Sequence, residues 1–181
     1  MAELYFTDNS NIRISVNNCY KELPVRPETE IKQRIMSNNR MDNNRDHRSI
    51  CHASLGTNNL AQAKAFYQPL LAILEIDMVC DYAHAIAFGK GYPEFWLQRP
   101  FDQQAATQGN GTHFGFVASS KKQVEDFYRK ALTLGASCNG KPGPRADYGE
   151  PFYGCFVIDL EGHKIEASFW DTELAKEIYK K

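Results

Sequence analysis

Residues 52–71, HASLGTNNLAQAKAFYQPLL, predict a duplicated fold because residues 113–132, HFGFVASSKKQVEDFYRKAL, repeat their pattern. A histidine opens each stretch, and a Phe-Tyr pair follows it at the same distance. The apolar residues that share a helix face correspond as well, so one offset of 61 residues accounts for every match. Several matches in a single register predict an internal duplication. The matching positions are His52 with His113, Phe66-Tyr67 with Phe127-Tyr128, Ala63 with Val124, and Leu71 with Leu132.

Each copy predicts the same order of elements, which is one strand, one helix and three further strands. Apolar residues at helical spacing follow the first strand of both copies and indicate an amphipathic helix. Asn58 or Asn59 is the expected N-cap of the first helix, Ser119 or Ser120 that of the second, and Gly135 is expected to end the second. The remaining strand candidates are IDMVCDY, HAIAFGK and EFWLQRP in the first copy, and ASCNGK, YGCFVIDL and HKIEASFW in the second.

The boundaries of the duplicated region follow from where this order begins and ends. We expect a domain over residues 50–172, a short tail over 173–181, and an N-terminal extension over 1–49 that is disordered or loosely packed. Within the extension, NIRISVNNCY predicts one strand or hairpin edge and PETEIKQRIM a brief helix. Module one covers about residues 50–100 of the domain and module two about 111–171.

Composition excludes several classes of partner. The chain has 181 residues with 21 basic and 22 acidic side chains, so it has no charge excess for nucleic acid or an anionic membrane. No apolar run approaches the roughly 20 residues that span a bilayer, and the first residues lack the pattern of a secretory signal. We therefore expect a cytoplasmic protein, in which the five scattered cysteines are reduced thiols.

The stretches HASLGTNNLAQAKAFYQPLL, GNGTHFGF and DLEGHKIEA resemble the vicinal oxygen chelate superfamily, which includes glyoxalase I, extradiol dioxygenases and the fosfomycin and bleomycin resistance proteins. The resemblance covers about two thirds of the chain and leaves the first 50 residues outside it. It implies an α+β fold in which duplicated βαβββ modules form a curved, open mixed sheet with helices on the convex side. In that superfamily a divalent metal binds on the concave side, through residues of the first and last strands of the modules.

The alternation of side chains along a strand tests whether the implied ligands face the right way. Successive strand residues point to opposite faces, so the helix-covered face must carry the apolar residues. The polar candidates His52, His113 and Glu166 all alternate with apolar residues and so are predicted on the face away from the helices. The apolar residues opposite them are Ala53 and Leu55 for the first strand, Phe114 and Phe116 for the second, and Ile165, Ala167 and Phe169 for the third.

The resemblance implies a divalent metal, Zn, Ni, Co, Mn or Fe, bound by His52, His113 and Glu166. Two imidazoles and a carboxylate are a known ligand set for such ions. The fourth ligand would come from PEFWLQRP, where Glu94 is one choice and Trp96 or Phe95 occupies the same position in other registers. Either Glu166 or Glu94 would be the catalytic base.

The resemblance is compatible with three functions. The first is a lactoylglutathione lyase type of glyoxalase, whose small substrate, such as a glutathione adduct, chelates the metal through adjacent oxygens. Arg99, Lys141 and Arg145 are candidates to bind its carboxylates. The second is an Fe(II) extradiol dioxygenase, although Phe156 occupies the place of its acid/base tyrosine. The third is a metal-free sequestering protein of the bleomycin resistance type. By analogy with the superfamily we expect a homodimer.

Overall fold

The computed structural model describes residues 5–7, 13–15 and 50–180. The chain divides into two compact units, Met1–Ala53 and Ser54–Lys181. In the first unit, β1 (Tyr5–Thr7) pairs antiparallel with β2 (Arg13–Ser15), which confirms the hairpin edge predicted at NIRISVNNCY. The helix predicted at PETEIKQRIM lies outside the described residues.

Module one contains the predicted strand, helix and three strands in that order. The side chain of Asn59 caps its helix by accepting a hydrogen bond from the Gln62 N–H, at 3.0 Å. The four strands form one sheet with the order β3-β6-β5-β4, so the first strand lies next to the last. The elements are β3 (Ala53–Gly56), α1 (Leu60–Leu71) with a 3-10 turn at Ala72–Leu74, β4 (Asp77–Asp81), β5 (Ala85–Gly89) and β6 (Phe95–Gln98).

Module two repeats this arrangement. Ser120 caps its helix, and Gly135 follows the helix with φ of 99°, a left-handed conformation that favours glycine. The sheet order is β7-β10-β9-β8, with β7 parallel to β10 and the other pairs antiparallel. The elements are β7 (His113–Val117), α2 (Lys121–Thr133), β8 (Ser137–Gly143), a 3-10 turn at Ala146–Tyr148, β9 (Phe152–Ile158) and β10 (Lys164–Trp170).

The predicted α+β fold with open mixed sheets is confirmed, and so is the duplication. Both sheets have their first strand beside their last, and equivalent backbone hydrogen bonds join these strands. The Thr57 N–H donates to the Gln98 carbonyl at 2.9 Å, and the Ala118 N–H donates to the Ser168 carbonyl at 2.8 Å. Thr57 and Ala118 are related by the offset of 61 residues found in the sequence. The two modules are therefore structural copies.

The core supports the predicted strand faces. Ile165 and Ala167 of β10 are fully buried in one cluster with Val124, Phe127 and Ala131 of α2. Burying such side chains stabilises the fold by roughly 1.5 to 3 kcal/mol each for the larger ones. No helix in the described part of the chain is long and apolar enough to cross a membrane.

The segment after β10 differs from the predicted tail because it forms a helix, α3 (Thr172–Ile178). Asp171 caps α3 by accepting a hydrogen bond from the Leu174 N–H at 3.0 Å. The helix has only seven residues, so Leu174 and Ile178 are the one pair of large apolar side chains at helical spacing, too short a pattern to predict it. Its start nevertheless carries an ordinary N-cap signal, Asp followed by Thr and Glu.

The cysteines follow the prediction only in part. Cys51, Cys138 and Cys155 are reduced thiols, whereas Cys80 near the end of β4 is disulfide-bonded, so the expectation of five reduced thiols is wrong. Burial raises the pKa of the Cys155 thiol to about 11. Cys138 is exposed, and the neighbouring Tyr128 hydroxyl lowers the pKa of its thiol.

Alkylation of the folded protein should distinguish these thiols. At pH 7.5 we expect iodoacetamide to modify Cys138 at least about 100 times faster than Cys155, because the thiolate is the nucleophile and burial suppresses it. Peptide mass spectrometry measures both rates, and the same reaction in denaturant is the control in which they converge. Equal rates in the folded protein would contradict the buried position of Cys155.

Candidate functional site

The face of module two that turns away from α2 carries the polar candidates. Glu166 alternates along β10 with the buried Ile165 and Ala167, so its side chain points to the opposite face. In the strand register Glu166 lies beside Gly115 of β7 and opposite Phe156 of β9. We call this surface the distal face, defined by His113, Gly115, Phe156, Lys164 and Glu166.

His113 and Glu166 form the contact at the centre of the distal face. The Nε2 atom of His113 lies 3.3 Å from Oε2 of Glu166. The histidine side chain is 46% exposed and the glutamate side chain 10%, so the imidazole covers the carboxylate while remaining accessible from outside. Gly115 lies against this pair, since a Cβ at its position would be in van der Waals contact with Glu166 Oε2, at 3.4 Å.

The spacing of these two atoms suits ligands of one metal ion. Metal to nitrogen and metal to oxygen bonds of about 2.1 Å place neighbouring ligand atoms roughly 3.0 to 3.4 Å apart, depending on the coordination angle. Within residues 5–7, 13–15 and 50–180, however, no group of three or more His, Cys, Asp or Glu side chains is arranged to hold a metal. The described residues thus bring together two potential metal ligands, His113 and Glu166, without a third beside them.

The third predicted ligand, His52, is exposed and directly precedes β3. It belongs to the compact unit that ends at Ala53, whereas His113 and Glu166 belong to the other unit. The structure therefore joins His113 with Glu166, and ligation by His52 stays a prediction from the sequence.

The strand register also identifies the residue of module one that corresponds to Glu166. The equivalent hydrogen bonds of Thr57 and Ala118 align Gln98 with Ser168, which aligns Trp96 with Glu166. An indole offers only an N–H donor, so Trp96 supplies no metal ligand. Glu94, directly before β6, aligns with Lys164 at the start of β10. The Glu94 carboxylate accepts a hydrogen bond from the Lys90 N–H at 3.2 Å.

The Phe156 ring is surrounded by basic groups. The Lys164 ammonium lies 4.6 Å from the ring centroid, the Arg145 guanidinium carbon 5.6 Å, and the His113 ring packs edge-on at 6.4 Å. A phenylalanine attracts cations through its ring face but has no hydroxyl. The position opposite Glu166 therefore provides no acid or base of the kind that an extradiol dioxygenase requires.

Neither nearby tyrosine replaces that missing hydroxyl. Tyr153 donates its hydroxyl hydrogen bond to Glu125 of α2, at 3.1 Å, which places it on the helix side of the sheet. Tyr148 packs edge-on against Phe152 at 4.9 Å and is largely exposed. The described residues near Glu166 thus include no tyrosine hydroxyl in the position that an extradiol dioxygenase would need, in agreement with Phe156 in the sequence.

Arg145, a predicted carboxylate binder, uses its guanidinium to hold its own loop. It donates hydrogen bonds to the carbonyls of Lys141 at 2.8 Å, Gly143 at 3.2 Å and Pro144 at 2.9 Å. These bonds occupy donors that an anionic ligand would need. Arg145 therefore holds the loop of residues 141–145 in place beside the Phe156 ring.

Lys164 lies at the start of β10 and was not among the predicted site residues. It lines an open pocket of about 480 Å³ together with His113, Gly162 and the turn of residues 108–112. Strand alternation places Lys164 on the same face as Glu166, and that is the sequence signal that identifies it. A second open pocket, of about 340 Å³, lies at Ser54–Gly56, Gln98 and the loop of residues 100–107.

A partly buried hydrogen-bond network holds the turn that leads into β10. The Asp159 carboxylate accepts bonds from the Tyr67 hydroxyl at 2.7 Å, the His163 N–H at 2.7 Å and the Glu161 N–H at 2.9 Å. Burial and the Asp159 carboxylate raise the pKa of Tyr67 well above its ordinary value. The ring of the buried His163 lies 3.1 Å from the Gly56 carbonyl. The network therefore fixes the start of β10, the strand that carries Lys164 and Glu166.

Comparison with known proteins gives matches at the level of structure. No protein-family model and no curated protein matches the sequence. A glyoxalase/bleomycin resistance protein from Albidiferax ferrireducens T118 is 28% identical with a TM-score of 0.62, covering 67% of this chain and 98% of that one.

Two further structures share the fold at lower identity. A lactoylglutathione lyase from Agrobacterium tumefaciens is 18% identical with a TM-score of 0.51, covering 71% of this chain and 98% of its own. The fosfomycin resistance protein FosX from Listeria monocytogenes is 16% identical with a TM-score of 0.51, covering 70% and 96%. With its duplicated modules and these structural relatives, the chain has the fold of the glyoxalase/bleomycin resistance proteins.

Proposed function

We propose that this protein is a metal-dependent glyoxalase-like enzyme of the lactoylglutathione lyase type. Its substrate is a small molecule, such as a glutathione adduct, that chelates the metal through two adjacent oxygens. The observation that carries the proposal is the contact of 3.3 Å between His113 Nε2 and Glu166 Oε2 on the distal face. A lactoylglutathione lyase among the structures of the same fold supports this choice.

His113 and Glu166 would hold a divalent ion, with His52 as the third protein ligand proposed from the sequence. When bound, such an ion supplies Lewis acid chemistry to the substrate oxygens. The carboxylate of Glu166 is the proposed base, which would take the proton from the carbon of the thiol-aldehyde adduct that bears one of those oxygens. Glu94 is the alternative base, and its hydrogen bond from Lys90 ties it to the turn before β6.

The alternative function is a metal-free protein that sequesters a ligand. The two pockets of the second unit are open enough for a ligand to enter from outside. Metal content therefore separates the two functions directly.

Elemental analysis of the full-length protein, with matched single variants, tests the metal proposal. We expect about one divalent ion per chain in the wild type and at least about tenfold lower occupancy in His52→Ala and in His113→Ala, because each loses one of three protein ligands. Unchanged occupancy in His52→Ala would remove that residue from the site. A wild type without metal after incubation with Zn, Ni, Co, Mn or Fe would favour sequestration.

Activity assays then define the reaction. A glyoxalase should convert the adduct of methylglyoxal and glutathione, whereas a dioxygenase should consume oxygen in the presence of catechols. Because Phe156 stands opposite Glu166, we expect no oxygen uptake with catechols. Oxygen uptake that depends on Glu166 would overturn the choice between the two enzymes.

A further inference from the structure

We propose that the ligand of the distal face carries an anionic group, carboxylate or phosphate, which binds in the pocket beside Lys164. That the same molecule also reacts at His113 and Glu166 rests on the proposed function. Binding of the anion itself depends only on the pocket and its charge. The pocket has a volume of about 480 Å³ and lies between residues 108–113, Gly162 and Lys164.

The Lys164 ammonium differs from several other lysine ammonium groups in its contacts. Lys64, Lys122 and Lys176 each lie within 4 Å of an aspartate or glutamate carboxylate. Among the described residues, no carboxylate lies within that distance of the ammonium of Lys164, which instead rests on the Phe156 ring at 4.6 Å. The nearest acidic residue along its strand face is Glu166, whose carboxylate contacts His113.

A cation that is half-buried without a carboxylate partner favours an anion that enters beside it. Removal of an ammonium from water costs free energy unless an opposite charge or a ring face compensates. Phe156 supplies part of this compensation and also fixes the ammonium on the distal face. A carboxylate or phosphate in the pocket would supply the rest through charge-assisted hydrogen bonds.

The walls of the pocket are suited to a polar group. Gln108, Asn110 and Thr112 line it with amide and hydroxyl groups. Gly111 has φ of 82°, and a Cβ at its position would meet no atom within 4 Å, so this wall is open to solvent. The turn therefore presents polar groups and backbone around a space that no side chain fills.

The spacing along β10 defines the class of ligand. Lys164 and Glu166 are two residues apart on one strand face, which separates their backbones by about 7 Å. A single small molecule can therefore contact both if its anionic group lies on the order of 5 to 10 Å from its chelating oxygens. We infer a short bifunctional substrate, with adjacent oxygens at one end and a carboxylate or phosphate at the other.

NMR titration of the full-length protein, treated with EDTA, tests the anion site. Inorganic phosphate and acetate are added separately to 15N-labelled wild type and to Lys164→Gln, Lys164→Arg and Lys121→Gln. Lys121 is the matched control because its ammonium also lies over a ring, that of Tyr153 at 5.8 Å, on the helix side of the sheet. The readouts are the amide shifts of Gly109, Gly111 and Gly162 and the dissociation constant of each anion.

We expect saturable shifts at these glycines in the wild type and binding at least about tenfold weaker in Lys164→Gln. Lys164→Arg should stay within about threefold of the wild type because it keeps the charge. Lys121→Gln should bind as the wild type does. The anion that binds more tightly identifies the group that the ligand carries.

Two results would overturn the inference. One is the absence of saturable shifts with both anions, and the other is equal binding by Lys164→Gln and the wild type. Neither result affects the metal content, which depends on His113 and Glu166. Conversely, a protein that binds phosphate through Lys164 but holds no metal would retain the anion site and lose the proposed enzyme.

Discussion

The Glu166→Gln protein should retain its fold and lose its function. We expect its metal occupancy to fall at least about tenfold and its glyoxalase activity at least about 100-fold, since the amide has neither the negative charge of a ligand nor the basicity of a proton acceptor. Its free energy of unfolding should change by less than about 1 kcal/mol, because glutamine matches glutamate in shape and a neutral group is easier to bury. Elemental analysis, steady-state kinetics and urea unfolding measure the three quantities.

Two matched variants make the Glu166 result specific. Glu125→Gln changes a carboxylate on α2 that accepts a hydrogen bond from Tyr153 on the helix side, so metal and activity should stay at wild-type levels. Glu94→Gln tests the alternative base of module one. If Glu94→Gln loses activity and Glu166→Gln does not, the assignment of the base is reversed. Wild-type metal content and activity in Glu166→Gln would remove the site altogether.

Asp159→Ala should be the most destabilising change in the turn before β10. The carboxylate accepts three hydrogen bonds, from the Tyr67 hydroxyl and the N–H groups of Glu161 and His163. Hydrogen bonds to a charged group contribute more than neutral ones, and a buried hydroxyl left without a partner costs free energy. We therefore expect a loss of about 3 kcal/mol in the free energy of unfolding, measured by urea titration.

Asp102→Ala is the control for this prediction. Asp102 also accepts a backbone hydrogen bond within a turn, from the Gln104 N–H at 3.0 Å, but it is exposed. Its replacement should cost less than about 0.5 kcal/mol. A double-mutant cycle with Tyr67→Phe isolates the pair, because contacting residues are not additive. Similar losses in Asp159→Ala and Asp102→Ala would contradict the role of the network.

The pH dependence of unfolding provides a second measurement of the same network. Burial, together with the Asp159 carboxylate, raises the pKa of Tyr67 above its ordinary value of 10.0. Above pH 10 the unfolded chain loses this proton before the folded one. The contribution of Tyr67 to stability is therefore complete below pH 10 and decreases as the pH rises through the folded pKa. Tyr67→Phe should flatten this decrease.

The arrangement of elements could be predicted because local patterns specify it. Each helix has apolar residues at helical spacing and an N-cap, Asn59 or Ser120, whose side chain accepts a hydrogen bond from a backbone N–H three residues later. Gly135, after the second helix, has a left-handed conformation that depends only on its own backbone. Strand alternation predicted the buried face of β10 for the same reason, since successive side chains must point to opposite sides. Helix α3 was missed because its seven residues include only one pair of large apolar side chains at helical spacing.

The candidate site could be predicted only in part. The alternation of β7 and β10 placed His113 and Glu166 on one face, and the parallel pairing of those strands brings their side chains together. The correspondence of Trp96 with Glu166 depended on the register between β3 and β6. No local pattern encodes that register, because a shift by one residue leaves each strand's own sequence unchanged.

The duplication is written in the residues themselves, and the order of the elements and the faces of the strands follow from patterns among residues close in the chain. Three contacts became visible only in the folded protein: His113 covers Glu166, Arg145 binds its own loop, and the Lys164 ammonium rests on Phe156. Such contacts join residues that approach each other only after the strands have paired, and their distances depend on packing around every side chain involved.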